Sequence, residues 1–118
     1  ITGVSNVLKE KNPKIQIIGV RPKDGSQITG IRRWPKEYLP KIFADAQVDS
    51  TMDISQEDAE KTTRALATQE GIFSGVSSGG AVACAIELSK QVNDATIVVI
   101  NPDRGDRYLS TGLFNAES

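Results

Sequence analysis

At 118 residues the chain is long enough for one small domain. Its 14 basic and 15 acidic residues leave a formal net charge of -1, which gives no electrostatic reason to expect a nucleic acid or an anionic membrane as partner. There is no histidine, and Cys84 is the single cysteine, so these residues hold no His-dependent triad, histidine metal site or internal disulfide, and no metal is expected.

The longest apolar run, Ala81 to Ile86, is far short of a membrane span, and no charged segment precedes an apolar one as in a secretory leader. Cys84, within V-A-C-A-I, reads as a small buried hydrophobe in a reducing compartment, which points to the cytoplasm. The start at Ile1-Thr2-Gly3 reads as the middle of a longer chain.

In chain order, Val4, Val7 and Leu8 have helical spacing, and Pro13 stops the helix they predict. Ile15 to Val20 is a nearly continuous apolar run, the pattern of a strand buried on both faces. Pro22 to Pro40, rich in proline and glycine and without a period, predicts a long loop of the kind that is usually functional or mobile. Val48, Met52 and Ile54 alternate as in a strand covered on one face. Ser55-Gln56-Glu57-Asp58 resembles a capping box with Asp in place of Glu, opening a helix that should end at Gly71. Ala59, Thr63, Leu66 and Ala67 form its expected inward stripe. Ser78 to Val92 predicts a second helix whose first half is almost all small residues. Ala95 to Ile100 predicts another fully buried strand, ended by Asn101-Pro102. This alternation of elements implies an α/β protein with a parallel sheet, and too few elements to cover it. The chain is therefore expected to be an incomplete piece of a larger domain.

Three segments are candidates for function. Gly75-Val76-Ser77-Ser78-Gly79-Gly80 is either an ordinary helix start, with Ser as cap and Gly for the turn, or a ligand wall. In the second reading the helix-start N–H groups and a serine hydroxyl meet a flat ring that glycine lets approach. Asp103 to Arg107 leaves a strand end, where α/β sheets place ligand-contacting loops; the bland reading is a polar turn with internal charge pairs. Its Arg104-Gly105-Asp106 tripeptide is also the one adhesion receptors read, but three residues recur by chance and no disulfide framework accompanies them. Ile31-Arg32-Arg33-Trp34-Pro35 is either an anion clamp with an apolar anchor or a solvated loop tacked down by one Trp.

Together the segments I-T-G-V-S-N-V-L-K-E, I-I-G-V-R-P, G-I-R-R-W-P-K-E-Y-L-P-K-I-F, E-G-I-F-S-G-V-S-S-G-G-A-V-A and D-R-G-D-R-Y-L-S-T-G-L-F cover nearly the whole chain. They resemble the C-terminal part of the cysteine synthase family, most closely its B-type branch (O-acetylserine sulfhydrylase B), within the fold-type II pyridoxal-phosphate (PLP) enzymes. The G-I-R-R-W-P and D-R-G-D-R-Y-L-S-T-G segments are specific for that branch, whereas S-S-G marks only the wider group. The resemblance implies a parallel-sheet PLP-binding domain of the tryptophan synthase β-like kind, with residues 1–118 as the C-terminal segment of the large cofactor-binding domain. It also implies a cytoplasmic homodimer that performs β-replacement on O-acetylserine. Sulfide then gives cysteine, or thiosulfate gives S-sulfocysteine.

By the same resemblance Ser77 matches the serine whose hydroxyl meets the pyridine nitrogen, and Asp103 lies near the cofactor ring. Arg32, Arg33 and Trp34 match a loop that closes over the site and receives the sulfonate of thiosulfate, with Gly30 and Ile31 at the active-site edge. Pro102 and Ser74 stand where some B-type enzymes have cysteine, a departure that bears on substrate preference. The Schiff-base lysine with its S-x-K-D-R surroundings belongs upstream of Ile1 in this family, so the 118-residue chain alone is expected to be catalytically inert. Two other readings stay open: another type II β-replacing enzyme, such as a cystathionine β-synthase or an O-phosphoserine sulfhydrylase, and a non-catalytic paralogue serving as a binding module.

Overall fold

The computed structural model describes residues 2–23, 28, 31 and 47–114. Its elements are α1 (Thr2–Lys11), β1 (Ile18–Pro22), β2 (Ser50–Ile54), α2 (Gln56–Glu70), α3 (Val76–Ser89) and a short 3-10 helix (Gly105–Thr111).

Local chemistry sets the helix ends. Lys9 and Lys11 occupy the last turn of α1, where the helix dipole favours cations. The α2 start is the predicted cap: the Ser55 hydroxyl accepts the Asp58 N–H at 3.1 Å, with Glu57 and Asp58 in the first turn. At its other end Gly71 takes the left-handed conformation, φ 69°. From there the Gly71 and Ile72 N–H groups turn back to the Leu66 carbonyl. Ala59, Thr63 and Leu66 are buried as the stripe predicts, and Ala67 is half-buried.

β1 and β2 pair in parallel, from Ile18 opposite Ser50 to Pro22 opposite Ile54. Asp49 starts the pairing. Its carboxylate accepts the Ile17 N–H at 2.7 Å and pairs with Lys9 at 2.7 Å. β2 shows the expected one-sided burial, with Ile54 buried and Met52 half-buried. α3 lies against both strands and packs most extensively on α2. The small residues of its first half make that approach possible: a Cβ on Gly79 would run into the Thr63 hydroxyl and lie 2.5 Å from the Ala59 carbonyl oxygen. Ile28, Ile54, Ala59, Val76, Cys84 and Leu113 form the core.

Four expectations differ from the structure. β1 starts at Ile18 rather than Ile15 and is half-buried, not buried on both faces. The apolar spacing of α1 is used only in part: Val4 and Val7 are exposed, Leu8 is half-buried, and the buried residue is Ser5. The Ser5 hydroxyl accepts the Gln47 N–H at 3.0 Å. α3 begins two residues before Ser78 and ends at Ser89, short of Val92. Residues 95–100 form no strand; Ile97 and Val99 are half-buried, while Val98 is 82% exposed and Ile100 67%. The apolar pattern of residues 95–100 is real, but a strand needs a hydrogen-bonded neighbour, and among the described residues they have none.

No described helix is long and apolar enough to cross a membrane. No cluster of three or more His, Cys, Asp or Glu among the described residues is placed to hold a metal.

Candidate functional site

The two segments singled out in the sequence, residues 71–83 and 103–112, meet in space. Ser74 forms an isolated antiparallel bridge with Arg104. On either side, the Gly75 N–H donates to the Asp103 carbonyl at 3.4 Å and the Gly105 N–H to the Phe73 carbonyl at 3.0 Å. Glycine is required at both positions. A Cβ on Gly75 would overlap the Asp103 carboxylate and the Tyr108 ring, and one on Gly105 would lie 2.6 Å from the Phe73 ring. The turn at residues 103–105 is thus laid across the start of α3.

Asp103 closes this junction. One carboxylate oxygen, Oδ1, accepts the Ser78 N–H at 3.2 Å and the Ser78 hydroxyl at 2.6 Å. The other, Oδ2, accepts the Ser77 N–H at 3.3 Å and the Tyr108 hydroxyl at 2.8 Å. Gly75, the residue before α3, has no side chain to cap the helix; Asp103 supplies the cap from 25 residues away. Partial burial alone would raise its pKa, but the hydrogen bonds from Ser78, Tyr108 and Ser77 outweigh it and hold the carboxyl below the usual carboxylate range. The helix start is therefore occupied by the protein's own anion, and its Ser77 and Ser78 amides are not free for a phosphate.

Ser77 differs from its neighbours. It is 5% exposed, its amide is held by Asp103, and its hydroxyl forms no hydrogen bond among the described residues. Ser78, fully buried, uses its hydroxyl on Asp103. Thr63, also fully buried, donates its hydroxyl to the Ala59 carbonyl at 2.7 Å. At the first turn of α3 the Ser77 hydroxyl is thus uncommitted, on a backbone that Asp103 fixes. A pyridine-type ring nitrogen would find a partner in it, so these residues fit the cofactor that the resemblance names. Ser74 Oγ is a second buried hydroxyl without a partner.

Of the expected substrate-contacting residues, Ile31 is described. It is half-buried against the core, and its Cδ1 would lie 2.9 Å from a Cβ placed on Gly80, one turn into α3 from Ser77. Gly30, Arg32, Arg33 and Trp34 lie outside the described residues. The sequence reading missed Ser78 and Tyr108 as parts of the site. Both lie in segments quoted from the sequence, Gly75 to Gly80 and D-R-G-D-R-Y-L-S-T-G, but their link through Asp103 leaves no local signal.

Another recess, about 640 Å³ and open, lies between α1 and residues 47–49. Lys9 and Asp49 pair across it. Lys9 holds the Asp49 carboxyl below its ordinary range, with help from the Ile17 N–H, and Gln47 donates to Asn6 at 2.7 Å.

A family profile described as Pyridoxal-phosphate dependent enzyme matches residues 1–103. The chain is 56% identical to cysteine synthase B of Pseudomonas aeruginosa over 115 residues, which is 98% of this chain and 38% of that protein. It is 57% identical to cysteine synthase B of Escherichia coli over 117 residues, covering 99% of this chain and 39% of that protein. Among solved structures it superposes on cysteine synthase from Entamoeba histolytica with a TM-score of 0.83 at 33% identity, over 98% of this chain and 37% of that one. The O-acetylserine dependent cystathionine β-synthase of Helicobacter pylori gives a TM-score of 0.79 at 34% identity, over 96% of this chain and 39% of that one. The chain thus spans under two-fifths of the length of these relatives.

Proposed function

The chain belongs to the pyridoxal-phosphate dependent enzymes, and from that premise we propose that it is the C-terminal segment of the cofactor domain of a B-type cysteine synthase. The observation that carries the proposal is the uncommitted Ser77 hydroxyl at a helix start where Asp103 already holds the Ser77 amide and both the amide and the hydroxyl of Ser78. The identity of 56–57% to cysteine synthase B proteins supports the branch. The reaction is β-replacement: the acetate of O-acetylserine leaves and sulfide adds to give cysteine, or thiosulfate adds to give S-sulfocysteine. The working protein is a homodimer in the cytoplasm.

Pyridoxal phosphate supplies the electron sink for the carbanion at the substrate α-carbon. Ser77 would hold the ring nitrogen through a neutral hydroxyl. Such a group places no charge on the nitrogen, which tempers the sink and suits loss of a good leaving group from the β-carbon. Asp103 keeps the Ser77 backbone in place. Ile31 walls the first turns of α3. In this reading Arg32 and Arg33 pair with the thiosulfate sulfonate through their planar donor forks, Trp34 covers it, and Gly30 gives the approach to the edge of the site. The lysine that carries the cofactor lies in the part of the protein upstream of Ile1, and the 118-residue chain alone is inert.

The test uses the full-length gene product. Purified protein should carry bound cofactor with its own absorption band and make cysteine from O-acetylserine and sulfide. Ser77→Asp should shift that band and slow β-replacement by about ten-fold or more, because an ionised partner protonates the nitrogen. An unchanged band and rate would sink the role given to Ser77. Any β-replacement by the isolated 118-residue chain would overturn the expectation that it is inert.

A further inference from the structure

We propose that Tyr108 is a positioning residue for the cofactor ring: through Asp103 it fixes the Ser77 backbone and hence the direction of the Ser77 hydroxyl. The proposal rests on the reading of Ser77 as the partner of the ring nitrogen. Tyr108 and Ser77 share one acceptor, Asp103 Oδ2, which takes the tyrosine hydroxyl at 2.8 Å and the Ser77 N–H at 3.3 Å. The opposite oxygen is held more strongly on the other side, by the Ser78 hydroxyl at 2.6 Å and the Ser78 N–H at 3.2 Å. Without the tyrosine hydroxyl, Oδ2 keeps only the long Ser77 contact, and the carboxylate is free to turn toward Ser78.

Tyr108 is well placed to prevent this. The Gly105 N–H anchors the start of its 3-10 helix on Phe73, and the Thr111 hydroxyl donates to the Tyr108 carbonyl at 2.6 Å. Its ring lies so close over Gly75 that no Cβ fits between them. The turn that follows the last apolar segment thus reaches back and sets the geometry of the serine that meets the ring. Charge acts in the same direction. The tyrosine hydroxyl draws on the negative charge of Asp103 beside Ser77. With that hydroxyl gone, the same carboxylate favours a proton on a neighbouring ring nitrogen more strongly.

Tyr108→Phe in the full-length protein removes the hydroxyl and keeps the ring. The expected result is an altered pH dependence of the bound cofactor's absorption band and a roughly ten-fold weaker cofactor dissociation constant, since a hydrogen bond to a charged group is lost. Asp103→Asn should move the band in the same assay. Tyr108→Leu also removes the ring, so it separates packing from polarity. If Tyr108 serves packing alone, the Leu variant lowers the melting temperature while the Phe variant leaves band and dissociation constant at wild-type values, and the proposal falls. A wild-type protein with no cofactor band overturns the functional reading and this inference with it. A wild-type band that Tyr108→Phe does not move overturns this inference alone.

Discussion

Asp103 does two jobs that neighbouring residues usually share: it caps α3 and it ties the turn at residues 103–105 to the helix. Its pKa is lowered in the folded state from an ordinary value of 3.8, so the unfolded chain binds the proton more readily. The stability it contributes is complete above the unfolded value and is lost as pH falls through the folded one. Acid titration of the full-length protein should therefore show a loss of stability below about pH 4 that Asp103→Asn removes, at the cost of a lower plateau at neutral pH. Equal acid limbs in the two proteins would deny Asp103 this role. None of this was legible from spacing. Asp103 and Ser77 stand 26 residues apart, and a contact across that distance leaves no periodic trace. The resemblance placed both residues near the cofactor, but only coordinates show that the carboxylate is already committed to the helix.

Elements whose ends are fixed by neighbouring residues were read accurately. The α2 cap at Ser55 and its stop at Gly71 are short-range chemistry, and both appear where the sequence puts them. Gly71 has open space around its Cα but a φ of 69°. Gly71→Ala should therefore cost about 1–2 kcal/mol by backbone strain alone, with no clash. Urea unfolding of the full-length protein would register it as a lower midpoint at unchanged slope; an unchanged midpoint would mean that the α2 terminus rearranges. β1 was misplaced by three residues because its apolar run does not say where pairing begins. Asp49, a residue from a different part of the chain, decides that by taking the Ile17 N–H.

At the scale of the whole molecule, the differences at α1 and at residues 95–100 share one cause. Val4, Val7, Val98 and Ile100 carry apolar patterns that these 118 residues leave exposed. Each pattern anticipates a neighbour that the chain itself does not offer among its described residues, and the chain spans under two-fifths of its relatives. The α/β class and the parallel pairing are present among the described residues. If residues 95–100 become a buried strand in the full-length protein, Val98→Lys should destabilise it by about 2 kcal/mol or more, because an unpaired charge is buried. If Val98 stays as open as it is here, the change should fall within about 0.5 kcal/mol. Thermal unfolding of the full-length variant separates the two.

Cys84 is the chain's single thiol, and it sits in the core formed with Ile54 and Ala59. Burial pushes its pKa up, and the nearby Asp53 charge adds to the shift. The thiolate is the reactive form, so a closed molecule is doubly protected, by access and by protonation. An alkylating reagent would reach this sulfur chiefly during moments when α3 lifts from the sheet. The chain thus carries its own stopwatch for opening: the pace at which the thiol is consumed counts how often the α3 layer comes apart.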